Sequence, residues 1–70
     1  MTMQKAVVRI DATYGLAVKV GDEVTPGDFL SRTHAAQGSY ASPVHGTIED
    51  IRLDGDKHEF VVLIAPARTP

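Results

Sequence analysis

The chain contains no cysteine and no tryptophan among its 70 residues. Without cysteine no disulfide framework can form, so apolar packing must hold this small fold, with a second subunit as one further source of stability. The longest apolar run, residues 60–65, is far shorter than the ~20 residues of a membrane-spanning helix. Residues 1–5 lack the basic, apolar and small-residue segments of an export signal. We therefore expect a soluble, cytoplasmic protein without a membrane span.

Positive charge and aromatic side chains are also scarce. Seven basic and nine acidic residues give a formal net charge of −2, whereas nucleic-acid-binding barrels of this size present aromatics on a basic face. The aromatic residues are widely separated in the sequence, and we expect Phe29 and Phe60 in the core. Nucleic acid is therefore not the expected partner.

Short runs rich in valine, isoleucine and threonine are present in place of helical periodicity. Glycine, proline and aspartate interrupt them, which is typical of strands joined by turns. The predicted strands cover residues 6–10, 16–20, 29–33, 39–42, 47–53 and 60–64. Residues 18–22 also resemble residues 51–56, as the two halves of a pseudo-twofold sheet would. The prediction is an all-β fold, a small flattened barrel with pseudo-twofold halves, formed by residues 1–64 and followed by a flexible tail at 65–70.

Three local signals refine this prediction. Residues 25–28, Thr-Pro-Gly-Asp, predict a type II turn, because proline presets φ at the second position and Gly27 accepts a positive φ at the third. Asp54 and Gly55 predict a hairpin turn. Between these signals, Glu49 and Asp50 interrupt the apolar alternation of their strand by one step.

Two segments resemble the biotinyl/lipoyl-type barrel-sandwich hybrid: residues 18–30, VKVGDEVTPGDFL, and residues 42–51, SPVHGTIEDI. In that family a Gly-Asp-x-Val turn is followed by a second glycine, an extended arm and a Pro-x-x-Gly segment. The matching residues are Gly21, Asp22, Val24, Gly27, Leu30, Pro43, Gly46 and Ile48. The resemblance implies structural roles at Gly21, Asp22, Gly27, Pro43 and Gly46. It implies a core of Val20, Val24, Leu30, Val44, Ile48 and Ile51.

Carriers of this family hold biotin or lipoate on a lysine at the tip of the hairpin between the two segments. Residues 29–56 contain no lysine, and the corresponding tip is Ala36-Gln37-Gly38. We therefore expect no cofactor. The alternative is an acyl carrier with Lys57 as an unusual acceptor, because Asp56-Lys57 matches the Asp-Lys pair of lipoylated tips.

As a module of this type without an acceptor lysine, the chain is similar to the N-terminal domain of the C subunit of Rnf-type electron-transport complexes. It is also similar to the start of the A subunit of sodium-pumping NADH:quinone reductases. The resemblance implies a non-catalytic docking or assembly module, accessory to a redox or carboxylase-type complex and partnered by a larger protein. We predict His45 and Tyr40 as partner contacts. The apolar strand at 60–64 makes self-association a further expectation.

Catalytic and metal-binding alternatives find little support in the residue spacing. The three histidines, His34, His45 and His58, are eleven and thirteen residues apart, whereas zinc sites use close ligand pairs. No serine occurs in a nucleophile elbow. Neighbouring residues on a strand face opposite sides, so Glu49 and Asp50 are not expected to act as a carboxylate pair. We predict that the chain is not an enzyme.

Overall fold

The computed structural model describes residues 5–32 and 40–67, and these form an all-β fold. The strands are β1 (Ala6–Asp11), β2 (Glu23–Val24), β3 (Gly46–Asp54) and β4 (Glu59–Pro66), and a 3-10 turn at Ala12–Tyr14 follows β1. They form one antiparallel sheet in the order β1-β4-β3-β2, curled into a half-barrel. The predicted all-β class is confirmed. Within the described residues, no helix has the length and apolar character needed to cross a membrane.

Strand β4 is longer than the sequence predicted. It continues through Ala65 and Pro66, which pair with the first two residues of β3, Thr47 and Gly46. Beyond the strand, the N–H of Ala67 donates to the carbonyl oxygen of His45 at 2.7 Å. Assigning residues 65–67 to a flexible tail was therefore wrong, because the start of β3 supplies backbone partners for them. Residues 68–70 lie outside the described part of the chain.

Strand β3 contains a bulge at the place where the apolar alternation fails. The register against β4 shifts between Ile48 and Asp50, which leaves Glu49 as the extra residue. The shift restores the alternation, because Ile48 and Ile51 are then opposite the buried residues Ile64 and Val62. The interruption seen in the sequence therefore corresponds to a real irregularity of the strand.

The connection from β3 to β4 is a hairpin, as predicted, but of a different type. Asp54 pairs with Glu59, so residues 55–58 form a four-residue loop. The Asp54 carboxylate accepts the backbone N–H groups of Asp56 and Lys57, at 3.1 and 3.3 Å. The positive φ, 54°, falls at His58 and not at Gly55. The two-residue Asp-Gly turn is thus replaced by a longer loop held by the Asp54 side chain.

Two isolated antiparallel bridges lie outside the four named strands. Leu16 bridges to Ser31, and Phe29 bridges to Ala41, so residues 29–31 lie between two antiparallel neighbours. The predicted strands at 29–33 and 39–42 therefore pair where the structure describes them, at residues 29–30 and 40–41. The predicted strand at 16–20 is reduced to the single bridge at Leu16, because the chain turns at residue 19. The tip, including His34 and Ala36-Gln37-Gly38, lies outside the described residues.

Among the described residues, six buried apolar side chains form the core: Ile10, Val24, Leu30, Ile48, Val62 and Ile64. The predictions for Val24, Leu30 and Ile48 are confirmed, while Val44, Ile51 and Phe60 are half-buried and pack against this cluster. Two core predictions were wrong. Val20 is 57% exposed because it occupies a turn, and Phe29 is 43% exposed because its neighbour Leu30 takes the inward position.

Candidate functional site

The predicted type II turn at residues 25–28 is present. The N–H of Asp28 donates to the carbonyl of Thr25 at 3.0 Å, and Gly27 has a φ of 93° at the third position. The Asp28 carboxylate in turn accepts the N–H of Thr25 at 2.8 Å. Two hydrogen bonds therefore join Thr25, the first residue of this turn, to Asp28, the last, and they fix the geometry of the turn.

Residues 19–22 repeat this construction six positions earlier. The N–H of Asp22 donates to the carbonyl of Lys19 at 3.1 Å, and its carboxylate accepts the N–H of Lys19 at 3.0 Å. Gly21 again occupies the third position with a positive φ, 98°. Sequence reasoning assigned structural roles to Gly21, Asp22 and Gly27 but did not identify either aspartate side chain as an N–H acceptor.

Each turn pairs with the facing segment in the same way. In the turn at 19–22, the glycine N–H donates to the carbonyl of Ile48 and the N–H of Ile48 donates to the aspartate carbonyl, both at 2.8 Å. In the turn at 25–28, the same two bonds join the Gly-Asp pair to Ser42, at 2.9 and 2.8 Å. We call residues 21–31 and 40–48 the two arms. Backbone hydrogen bonds therefore join the arms at both turns.

The segment between these two attachment points contains Pro43, His45 and Gly46. The buried hydroxyl of Ser42 donates to the carbonyl of Val44 at 2.7 Å and accepts its N–H at 3.3 Å, which shapes the start of the segment. Pro43 and His45 are exposed, and the His45 carbonyl is bonded to Ala67. Gly46 is buried where its backbone touches β4.

Phe29 lies in the same pair of arms, one residue beyond the turn at 25–28. Its side chain is 43% exposed. The backbone around it is held on both sides, because Leu30 donates to the carbonyl of Tyr40 at 2.8 Å and accepts from the N–H of Ala17 at 2.9 Å. We call four exposed residues of the arms, Pro26, Phe29, Pro43 and His45, the arm surface. It combines three apolar side chains and an imidazole on a fixed backbone.

Tyr40, the other predicted partner contact, is half-buried. Its ring packs against Tyr14, with centroids 5.4 Å apart and planes inclined by 44°, and it also contacts the core. Part of its surface is therefore used inside the chain. Phe29 is the aromatic residue of the arms with the larger apolar exposure, and sequence reasoning placed it in the core.

Lys57 is exposed in the hairpin loop at 55–58, well separated in sequence from the arm surface. Its backbone N–H is held by Asp54, and its neighbour His58 is also exposed. Among the residues that the structure describes, no three or more His, Cys, Asp or Glu side chains are grouped so that they could hold a metal ion. His45 and His58 thus stand in separate loops, and neither belongs to such a group.

These features define a small all-β domain with a half-barrel sheet and an arm surface fixed by two equivalent Gly-Asp turns. No family model, curated protein sequence or solved structure matches the chain. The resemblance to biotinyl/lipoyl-type domains therefore remains a prediction from the residues themselves.

Proposed function

We propose that this chain is a non-catalytic docking or assembly module of biotinyl/lipoyl-like fold, accessory to a larger redox or carboxylase-type complex. The observation that carries the proposal is Phe29, an exposed aromatic on a backbone that is hydrogen-bonded on both sides. Aromatic side chains are enriched among the residues that dominate binding at protein interfaces, and a fixed backbone lowers the entropy lost on binding.

The geometry of the arms supports the same proposal. Gly21 and Gly27 have positive φ angles in two turns, and Gly46 lies at a close backbone contact. These three glycines are among the residues on which the resemblance depends. Pro43 and His45 are exposed beside them, in agreement with a contact role for His45. A rigid presentation of a few side chains suits docking.

The proposal is tested by affinity purification from the native host with three tagged baits: the unchanged chain, Phe29→Ser and Leu53→Ser. Leu53 is 62% exposed on β3, outside the arms, so its variant removes a similar apolar surface elsewhere. We expect a defined set of proteins with the unchanged bait and with Leu53→Ser. Phe29→Ser should lower their yield about tenfold, the effect of removing an interface aromatic worth roughly 1.4 kcal/mol. Equal yields with both variants would refute the role of the arm surface.

A second candidate function is acyl carriage on Lys57. It is favoured by one observation, the exposure of Lys57 in a tight loop whose backbone is held by Asp54. A ligase could reach such an amine. The intact mass of the chain purified from its host separates the two proposals. The docking module predicts the unmodified mass, whereas a biotinyl or lipoyl increment that is lost in Lys57→Arg would establish the carrier.

A further inference from the structure

Strand β1 is at the edge of the sheet, and its outer backbone groups have no partner among the residues that the structure describes. It pairs with β4 from Ala6 opposite Ile64 onward, and the ladder ends with the N–H of Ala12 donating to the carbonyl of His58 at 2.9 Å. Because antiparallel bonding alternates, the even-numbered residues of β1 face β4 and the odd-numbered ones face outward. Within residues 5–32 and 40–67, no backbone group pairs with the outward-facing N–H and C=O of Val7 and Arg9.

The residues of this edge are self-complementary. Lys5 and β1 read Lys-Ala-Val-Val-Arg-Ile-Asp. If two such strands align antiparallel about Val8, Lys5 of each copy is opposite Asp11 of the other, and Val7 is opposite Arg9. Both members of each of these pairs are odd-numbered, so their free backbone groups meet, as a hydrogen-bonded antiparallel pair requires.

Charge selects this register over its neighbours. Alignment about Val7 would place Lys5 opposite Arg9, and alignment about Arg9 would bring two arginines together. Like charges directly opposite each other are destabilising, whereas opposite charges stabilise a cross-strand pair. Alignment about Val8 gives two Lys5–Asp11 pairs and places the two Val8 side chains against each other.

We propose that a second copy of this chain pairs with the edge of β1, antiparallel and centred on Val8, so that the two sheets become one. The contact is isologous, as a closed twofold dimer requires. Val7 is 57% exposed, and Val8 packs only partly against the core, so the dimer covers apolar surface that the single chain leaves open. In the single chain Lys5 forms an ion pair with Glu49, and both side chains are solvent-exposed. Such a pair is weak enough for Lys5 to exchange it for Asp11 of the second copy.

The other candidate surfaces are less suited to a second copy. The apolar strand expected to self-associate, β4, lies between β1 and β3 and therefore has no free edge. Strand β3 extends beyond β2 from Glu49 onward, but the bulge bends it there. The N–H of Ile51 is already bonded to the Asp50 carboxylate at 3.0 Å. Bulges and charged side chains of this kind protect an edge against pairing.

The test is the solution mass across a concentration series, measured by sedimentation equilibrium. The unchanged chain should approach twice 7.5 kDa as concentration rises. Val7→Pro removes an N–H that faces away from β4, so it should leave the sheet intact and abolish the dimer. Val7→Thr, which keeps the N–H, is its control and should remain dimeric.

A charge reversal at Lys5 tests the register of the dimer independently of the Val7→Pro variant. Lys5→Glu should raise the dimer dissociation constant about tenfold, because two symmetric attractions become repulsions. Glu49→Lys removes the Lys5–Glu49 pair without touching the dimer contact and should leave the constant unchanged. In the dimer, the amides of Val7 and Arg9 should gain protection from hydrogen exchange as concentration rises.

Two results would overturn the proposal. One is a monomeric mass throughout the series, with no change in the exchange of the Val7 and Arg9 amides. The other is a dimer that persists in both Val7→Pro and Lys5→Glu, which would place self-association on a different surface. Neither result bears on docking through Phe29, which lies in the arms and not in β1.

Discussion

Gly46 and Ala65 approach each other so closely between β3 and β4 that no side chain fits at Gly46. A Cβ there would overlap the carbonyl oxygen of Ala65 and lie 3.0 Å from its carbonyl carbon and from the Cα of Pro66. The obstacle is backbone, so it cannot be relieved by a rotamer change. The glycine of the Pro-x-x-Gly segment is thus explained by steric contact and not by its φ angle.

Replacing Gly46 by alanine should therefore destabilise the fold by about 1–3 kcal/mol, the usual range for overpacking a buried site. The matched control is Gly55→Ala, because a Cβ at Gly55 would have nothing within 4 Å. We expect that control to stay within about 0.5 kcal/mol of the unchanged chain. Urea unfolding of both variants makes the comparison, and equal losses would contradict the close contact.

Replacing Gly27 by alanine should also be costly, for a different reason. There is open space around Gly27, but its φ of 93° is unfavourable for any residue with a Cβ. We expect a loss of about 1–2 kcal/mol. Gly27→Asn should lose less, because asparagine tolerates positive φ better than alanine does. A melting temperature unchanged by Gly27→Ala would refute the type II turn.

The carboxylate of Asp28 should stabilise its turn measurably, since it accepts the N–H of Thr25. Asp28→Ala should cost about 0.5–1.5 kcal/mol, the net value of one hydrogen bond. Asp28→Asn keeps an amide oxygen and should cost less. Chemical denaturation of the two variants makes the measurement, and identical stabilities would show that the carboxylate contributes nothing to the turn.

The stability of the fold depends on the ionisation of Asp11 at acid pH. Hydrogen bonds from the backbone N–H and the side chain of Thr13, with a smaller contribution from the charge of His58, lower the pKa of Asp11 below its ordinary value of 3.8. A folded-state pKa below the unfolded one means that ionised Asp11 stabilises the fold above pH 3.8. This stabilisation is lost as the pH falls through the folded-state pKa.

The variant Asp11→Asn isolates this effect, because it keeps an acceptor for the N–H of Thr13 and removes the charge. Above pH 3.8 the unchanged chain should be the more stable of the two, and the difference should shrink as the pH falls further. Thermal unfolding across the acid range measures both proteins. A stability difference that does not vary with pH would contradict the lowered pKa of Asp11.

Much of the architecture could be predicted from local residue chemistry. The all-β class, β1, the type II turn at 25–28 and the irregularity at Glu49 all follow from patterns within a few residues. The repeated Gly-Asp construction was also visible in the sequence, as Lys-Val-Gly-Asp and Thr-Pro-Gly-Asp six residues apart. The resemblance noted between residues 18–22 and 51–56 proves to be of another kind, since the second segment leads into a four-residue loop.

The predictions that were wrong concern the burial of side chains and the ends of strands, because both depend on residues distant in the sequence. The outward position of Phe29 depends on Leu30 taking the core side, and the alternation alone does not distinguish the two. The extension of β4 to Pro66 depends on Gly46, which is twenty residues away in the sequence. The exposure of Val20 follows from the turn at 19–22, in which Lys19 accepts the backbone N–H of Asp22 and donates its own N–H to the Asp22 carboxylate.

The central claim is that the chain binds a larger protein through the arm surface, and the yield ratio between the Phe29→Ser and Leu53→Ser baits tests it most directly. Both variants should first be shown to unfold at similar temperatures, so that loss of binding cannot arise from loss of fold. We expect the proteins recovered with Leu53→Ser to fall about tenfold in yield with Phe29→Ser. A ratio near one would contradict docking through Phe29.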